Sequence, residues 1–145
     1  MAVPIGAWTT SLVFDVASHL VSTPDFLAEG SRWLIGIGVL GAFAAATVGL
    51  IDLLAIPTRT RAFRIALIHM SLNLAATALY VVGFVVRDGT AGPVPPFALG
   101  LSAVTLAVVG AAGYLGGELV FRYGVRVADE TTQSTGFDTT AKENA

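Results

Sequence analysis

Residues 33–56 read WLIGIGVLGAFAAATVGLIDLLAI, an apolar run in which Asp52 is the one charged side chain. A helix of this length is about 36 Å long, and about 20 apolar residues are enough to cross a bilayer core. The run shows no apolar–polar alternation of the kind that marks a half-buried strand. Pro57 follows directly and ends the helix, because proline cannot continue it. The run therefore predicts a membrane-spanning helix.

Three further apolar stretches of similar length cover residues 4–22, 62–86 and 94–120. The connections between the four stretches are short, and short connections make neighbouring helices antiparallel. The sequence therefore predicts an all-α integral membrane four-helix bundle with up-down-up-down topology over residues 1–127. Residues 128–145 are polar and Thr-rich, so they are predicted to form a disordered tail.

Composition excludes several classes of protein. Of the 145 residues, 54% are hydrophobic and 12% are charged, whereas a soluble domain carries about 25% charged residues. The absence of cysteine excludes disulfides, thiolate zinc sites, iron–sulfur clusters and covalently attached haem. A net charge of −2 gives no reason to expect a nucleic-acid partner. No catalytic or metal-binding motif is present, so the sequence favours a lipid-embedded protein that is not an enzyme.

The basic residues divide unequally between the two ends of the predicted bundle. One end carries six lysine and arginine residues, namely Arg59, Arg61, Arg64, Arg122, Arg126 and Lys142. The opposite end carries Arg32 and Arg87. Because basic residues concentrate on the cytoplasmic side of membrane proteins, both termini and the tail are predicted to be cytoplasmic.

Two titratable residues lie in the first apolar stretch. Counting from Pro4 places Asp15 near the bilayer midplane and His19 one turn further out. Ionisable groups at membrane depth are costly and usually have a partner. We expect Asp15 and His19 to bond each other, with a role in a proton relay as the functional alternative.

A second polar group shares one depth near the cytoplasmic side and is predicted to form a polar site. Its members are Asp52, His69, Asn73, Glu118 and Arg122. Each member also has a purely structural interpretation. Glu118 and Arg122 are four residues apart and can form an interfacial ion pair. Asp52 can pair with the arginines that follow Pro57. His69 can be a neutral histidine bonded to Asp52 or to a backbone carbonyl, or it can bind a ligand such as haem.

Small residues at four-residue spacing mark where helices can approach closely in lipid. The second stretch has two such rows, Gly41, Ala45, Gly49 and Gly38, Ala42, Ala46, and the fourth has Gly113/Gly117 and Ala112/Gly116. These rows predict packing faces inside the bundle or between protomers. Partners would therefore be a second copy of the chain or other membrane subunits.

Four segments together resemble a bacterial family of predicted membrane proteins, "domain of unknown function 2231". The most specific is GYLGGELVFRYGV at residues 113–125, and VPIGAWT at 3–9, GLID at 49–52 and IHMSLN at 68–73 support it. The resemblance covers residues 3 to about 127 and implies a location in the bacterial inner membrane. Some relatives are fused to Rieske-type ferredoxin domains, which implies membrane electron transfer. Relatives usually carry His-Pro dipeptides before the first helix, and here only Met1, Ala2 and Val3 precede Pro4.

Three functions compete. The chain is a small subunit of a membrane redox system that binds a b-type haem, a structural or assembly protein without chemistry, or a proton or small-solute carrier. Haem requires a histidine and an apolar slot, whereas a relay requires titratable groups along the whole depth. The helical rise separates His19 from His69 by about 14 Å along the membrane normal. We therefore predict that the two histidines do not share one iron, and that any haem would bind His69.

Overall fold

The structure is a computed structural model that describes residues 1–87, 91–127 and 129. The predicted tail over 128–145 lies outside these residues, except for Asp129. The described part of the chain contains four helices: α1 (Ala2–Ala17), α2 (Asp25–Leu54), α3 (Arg61–Val86) and α4 (Pro96–Phe121). The predicted all-helical architecture is confirmed.

Two helix boundaries differ from the prediction. α2 begins at Asp25, directly after Pro24, and not at Trp33. The charges of Glu29 and Arg32 suggested a connecting loop, but they are compatible with a helix that extends beyond its apolar part. α1 ends at Ala17 and not at Ser22, and the chain continues as a tighter turn in which the amides of His19 and Leu20 donate to the carbonyls of Val16 and Ala17.

Three helices, α2, α3 and α4, are long and apolar enough to cross a membrane. α1 is equally apolar in character but has 16 residues, so it is about 24 Å long against a bilayer core of about 30 Å. The prediction of four full-length spans is therefore confirmed for three helices.

Interior packing divides into three clusters along the bundle axis. The central cluster comprises Trp8, Ile35, Ala42, Ala76, Tyr80 and Val109. Its centre is a stacked pair, with the rings of Trp8 and Tyr80 4.2 Å apart. A smaller cluster of Ala28, Val94 and Ala98 closes one end, and Ile56, Ala66 and Leu119 close the other. Large apolar side chains such as Leu40, Leu74 and Val104 are exposed, as expected for a surface that faces lipid.

Some of the predicted small-residue faces are helix contacts. A Cβ added at Gly38 would lie 2.2 Å from Nε1 of Trp8, and one at Gly41 would lie 3.1 Å from Val3. Both glycines therefore allow α1 to lie against α2. Gly49 and Gly113 have no atom within 4 Å of an added Cβ, so these two positions face outward in the described chain.

Candidate functional site

A buried ion pair joins α1 to the end of α3. Nη2 of Arg87 lies 2.6 Å from Oδ2 of Asp15, and both side chains are almost completely buried. Arg87 follows the last residue of α3, and its side chain turns back into the bundle, where Nη1 donates to the carbonyl of Gly83 at 2.9 Å. The missing side chain of Gly83 leaves space for this path, since an added Cβ would lie 3.1 Å from Nη1 of Arg87.

The remaining two helices complete this network. The Ser31 hydroxyl of α2 donates to the other carboxylate oxygen of Asp15. From α4, the Ser102 hydroxyl and the Ala98 carbonyl accept hydrogen bonds from Nη2 of Arg87 at 3.0 and 3.1 Å. Every helix thus contributes a polar group, which is what a charge buried away from water requires.

The expected Asp15–His19 bond was wrong. Asp15 bonds to Arg87 and Ser31, and His19 lies in the turn after α1. Asp15 lies level with the end of α3, where its carboxylate bonds the Arg87 side chain, and its depth in a membrane stays a prediction. Sequence reasoning placed Arg87 at the start of the connection after the third apolar stretch and did not predict that its side chain turns into the bundle. The available signal was the pair of serines, Ser31 and Ser102, in otherwise apolar helices.

The Tyr80 hydroxyl lies next to this network and has no hydrogen-bond partner in the described part of the chain. Tyr80 is 1% exposed, and both Asp15 and Arg87 are close enough to act on it electrostatically. A buried hydroxyl without a partner is unusual, because desolvating it costs free energy.

Tyr80 belongs to a row of polar residues on one face of α3. His69, Asn73, Thr77, Tyr80 and Arg87 follow one another at helical spacing. Thr77 and Tyr80 are buried, and His69 and Asn73 are half-buried. We call this row the α3 polar face.

His69 is held against α4 by a backbone carbonyl. Its Nδ1 lies 2.7 Å from the carbonyl oxygen of Ala112, so Nδ1 carries the proton that is donated. Glycine at position 116 lets the ring lie this close to α4, since an added Cβ would lie 3.0 Å from Cε1 of His69. The Asn73 amide nitrogen lies 3.2 Å from Nε2 of His69 and also donates to the His69 carbonyl at 2.8 Å.

Two exposed ion pairs lie near the end where α4 finishes. Arg122 bonds Glu118 at 2.9 Å, which confirms the expected i,i+4 pair. Asp52 bonds Nε of Arg126 at 2.6 Å and not the arginines after Pro57. Gly124 has a positive φ of 61°, a conformation that glycine adopts readily and that reverses the chain after α4.

No hydrogen bond or ion pair connects Asp52, His69 and Glu118 within the residues that the structure describes. Each has a partner of its own: Arg126, Ala112 with Asn73, and Arg122. The single polar site with these members therefore stays a prediction. In the same described residues, no three histidine or acidic side chains lie close enough to hold a metal ion.

The surroundings of His69 do not fit an axial haem ligand. An iron ligated by Nε2 lies about 2 Å from that atom, and the Asn73 amide already lies 3.2 Å away. His19 is also too far from His69 along the bundle to bind the same iron. Asp15, four residues before His19, is level with Arg87. Arg87 lies 18 residues after His69, a helical rise of about 27 Å.

Comparison with known proteins identifies a family but no close relative. No curated protein and no solved structure matches the chain. Residues 1–129 match the family described as "Predicted membrane protein (DUF2231)", and this match covers all four helices and every residue of the sites above. The chain therefore belongs to the DUF2231 family of membrane proteins.

Proposed function

We propose that this protein is a small proton carrier of the membrane, with the α3 polar face as its path. The observation that carries the proposal is the buried Tyr80 hydroxyl without a partner in the described chain. Along α3 it lies between the Asp15–Arg87 pair and the remaining members of the α3 polar face, Thr77, Asn73 and His69. Titratable groups inside a membrane bundle commonly mark proton relays.

The spacing of the α3 polar face supports proton transfer through bridging water. Successive members from Tyr80 to His69 are three or four residues apart, so each step rises about 5–6 Å. One water molecule that bonds to both neighbours covers this distance. In this scheme His69 takes up a proton at Nε2, and Tyr80 passes its hydroxyl proton to the Asp15 carboxylate and is reprotonated from the His69 side. Asp15 then releases the proton to water at the nearby end of the bundle and returns to its ionised form beside Arg87.

Proton flux into sealed vesicles tests the proposal. The purified protein is reconstituted with an internal pH-sensitive dye, and a potassium gradient with valinomycin supplies the driving voltage. We expect flux above that of protein-free vesicles, and we expect Tyr80→Phe to remove the excess. Flux equal to that of empty vesicles for the wild type would refute the proposal.

Tyr114 gives a matched control for the tyrosine variant. It is 76% exposed on α4, so Tyr114→Phe removes a hydroxyl that faces outward and should leave flux unchanged. Tyr80→Phe keeps the ring stacked on Trp8 and removes a hydroxyl that has no bond to lose. Its thermal stability should therefore be at least that of the wild type, which separates a relay role from a structural one.

A structural or assembly role is the second candidate, and the Asp15 network favours it. All four helices bond to this ion pair, so the pair can serve to fix the arrangement of the bundle. This role predicts that Asp15→Asn lowers stability while the wild type carries no protons. The outward-facing Gly113 would then suit a close helix contact with a second copy or another membrane subunit.

The redox-subunit hypothesis has less support, because the Asn73 amide nitrogen lies 3.2 Å from Nε2 of His69, the atom that would ligate an iron. It keeps one test. Reduced-minus-oxidised spectra of protein expressed with excess haem should show no haem signal. A signal lost in His69→Ala would restore the hypothesis.

We further propose an up-down-up-down topology in the bacterial inner membrane with both termini cytoplasmic. The support comes from contacts that pair early residues of one helix with late residues of the next. Along α1, Pro4 packs near Gly41, Trp8 near Gly38 and Asp15 near Ser31. α3 and α4 show the same order, with Arg87 near Ser102 and His69 near Gly116.

A further inference from the structure

Three arginines surround the start of α3 and have no side-chain partner among the described residues. Arg59, Arg61 and Arg64 are exposed, and no hydrogen bond or ion pair of their side chains occurs among the residues that the structure describes. At the same end of the bundle, Arg122 and Arg126 are both paired with carboxylates. The three free guanidinium groups therefore form a local excess of positive charge.

Backbone geometry adds to this excess. The Thr60 hydroxyl caps α3 by accepting from the amide of Phe63 at 3.1 Å. The amides of Arg61 and Ala62, in the first turn, have no acceptor within the helix. Free amides and the helix dipole both favour an anion at this position.

Exposed apolar side chains lie near this group of arginines. Ile68 lies one turn after Arg64 on the same face of α3 and is 53% exposed, and Leu54 at the end of α2 is 80% exposed. A free phosphate ion has no apolar part that could pack on these side chains. A phospholipid has both an anionic phosphate and acyl chains, so it matches both surfaces.

We propose that Arg59, Arg61 and Arg64 bind the headgroup phosphate of an anionic phospholipid, with an acyl chain along Ile68. The guanidinium groups of Arg61 and Arg64 donate to the phosphate oxygens, and the neighbouring backbone amides add further donors. This proposal is independent of proton transport, since none of these residues belongs to the α3 polar face.

Native mass spectrometry of the detergent-purified protein tests the proposal with two lipids of identical acyl chains. We expect phosphatidylglycerol to bind more tightly than phosphatidylcholine, and Arg64→Gln to weaken phosphatidylglycerol binding about fivefold. Arg64→Lys should retain most of the binding because it keeps the charge. Equal binding of the two lipids to the wild type would overturn the proposal.

Arg122→Gln is the matched control, because Arg122 is an exposed arginine directly after α4, near the same end, whose charge is already paired. It should leave lipid binding unchanged, and an equal loss in this variant would reduce the effect to overall charge and refute a defined site. Displacement of the lipid by millimolar inorganic phosphate would also refute it, in favour of a free-anion site. If Arg64→Gln fails to fold, Arg59→Gln, outside the helices, replaces it.

Discussion

Asp15 and Arg87 show how one residue depends on another that is distant in sequence. Each charge is buried, and each is acceptable in the interior only because the other is present. The serines and carbonyls around the pair satisfy remaining donors and acceptors, but they carry no net charge. Removing either member therefore leaves an uncompensated charge that is almost completely buried.

The first prediction follows from this dependence. Asp15→Asn keeps the shape of the side chain but removes its charge, so we expect a loss of about 3–5 kcal/mol in the free energy of unfolding. Denaturant unfolding in detergent measures this loss. The double variant Asp15→Asn with Arg87→Met should lose less than the sum of the two single losses.

Glu118→Gln provides the comparison, because the Arg122 partner is exposed and surface ion pairs contribute less than about 1 kcal/mol. Similar losses for Asp15→Asn and Glu118→Gln would contradict the importance assigned to burial.

The sequence allowed the local ion pair to be predicted but not the buried one. Glu118 and Arg122 are four residues apart on one helix, and helix geometry alone brings them together. Asp15 and Arg87 are separated by 72 positions. Their contact depends on the assembly of all four helices and on an arginine side chain that turns inward past Gly83. No periodicity in the sequence predicts that the Arg87 side chain points inward.

At the scale of the helices, contact between α1 and α2 depends on Gly38. Trp8 lies so close that an added Cβ would overlap its indole nitrogen at 2.2 Å. That nitrogen also faces the carbonyl of Ile35 at 3.4 Å. The backbone of α2 therefore forms part of the surface on which Trp8 packs.

The second prediction tests this contact. Gly38→Ala should destabilise the protein by about 1–3 kcal/mol, because α1 must move away from α2. Gly49→Ala on the same helix meets no atom within 4 Å and should be neutral. Thermal unfolding in detergent compares the two, and equal behaviour would show that α1 does not pack at Gly38.

The contact between α3 and α4 makes a third prediction. Gly116→Ala places a methyl group 3.0 Å from His69, so it should destabilise the protein and weaken the bond from His69 to Ala112. His69→Ala frees that space, and the double variant should therefore lose less stability than the two single losses added together. Gly113→Ala, which meets no atom within 4 Å, is the control. Strict additivity of Gly116→Ala and His69→Ala would argue against the contact.

Helix positions were more predictable than helix ends. The apolar runs located α3 and α4 to within two residues, since Thr60 caps α3, and Pro95 and Pro96 are the N-cap and the first residue of α4. The start of α2 was missed by eight residues. Hydropathy reports where a helix lies in lipid, and α2 continues past that limit with Asp25, Glu29 and Arg32 on its first turns.

For the whole molecule, the arginines at the two ends of the bundle differ in their exposure. At the end where α3 finishes, Arg87 is buried, and Arg32 bonds the carbonyl of Phe84 with its guanidinium 4.6 Å from that ring. Both cations are thus held against the protein. At the opposite end Arg59, Arg61 and Arg64 are exposed. The imbalance of accessible positive charge is therefore greater than the sequence count suggests, and it favours a cytoplasmic location for the start of α3.

The last prediction tests this orientation with single cysteines, which is direct because the chain contains none. Thr58, before α3, and Ala91, before α4, are both exposed and lie at opposite ends of the bundle. In intact cells with a permeabilised outer membrane, a membrane-impermeant maleimide should label Ala91→Cys but label Thr58→Cys only after lysis. The opposite pattern would invert the topology. Labelling of both cysteines before lysis would show that α3 does not cross the membrane, because a spanning helix must separate residues 58 and 91.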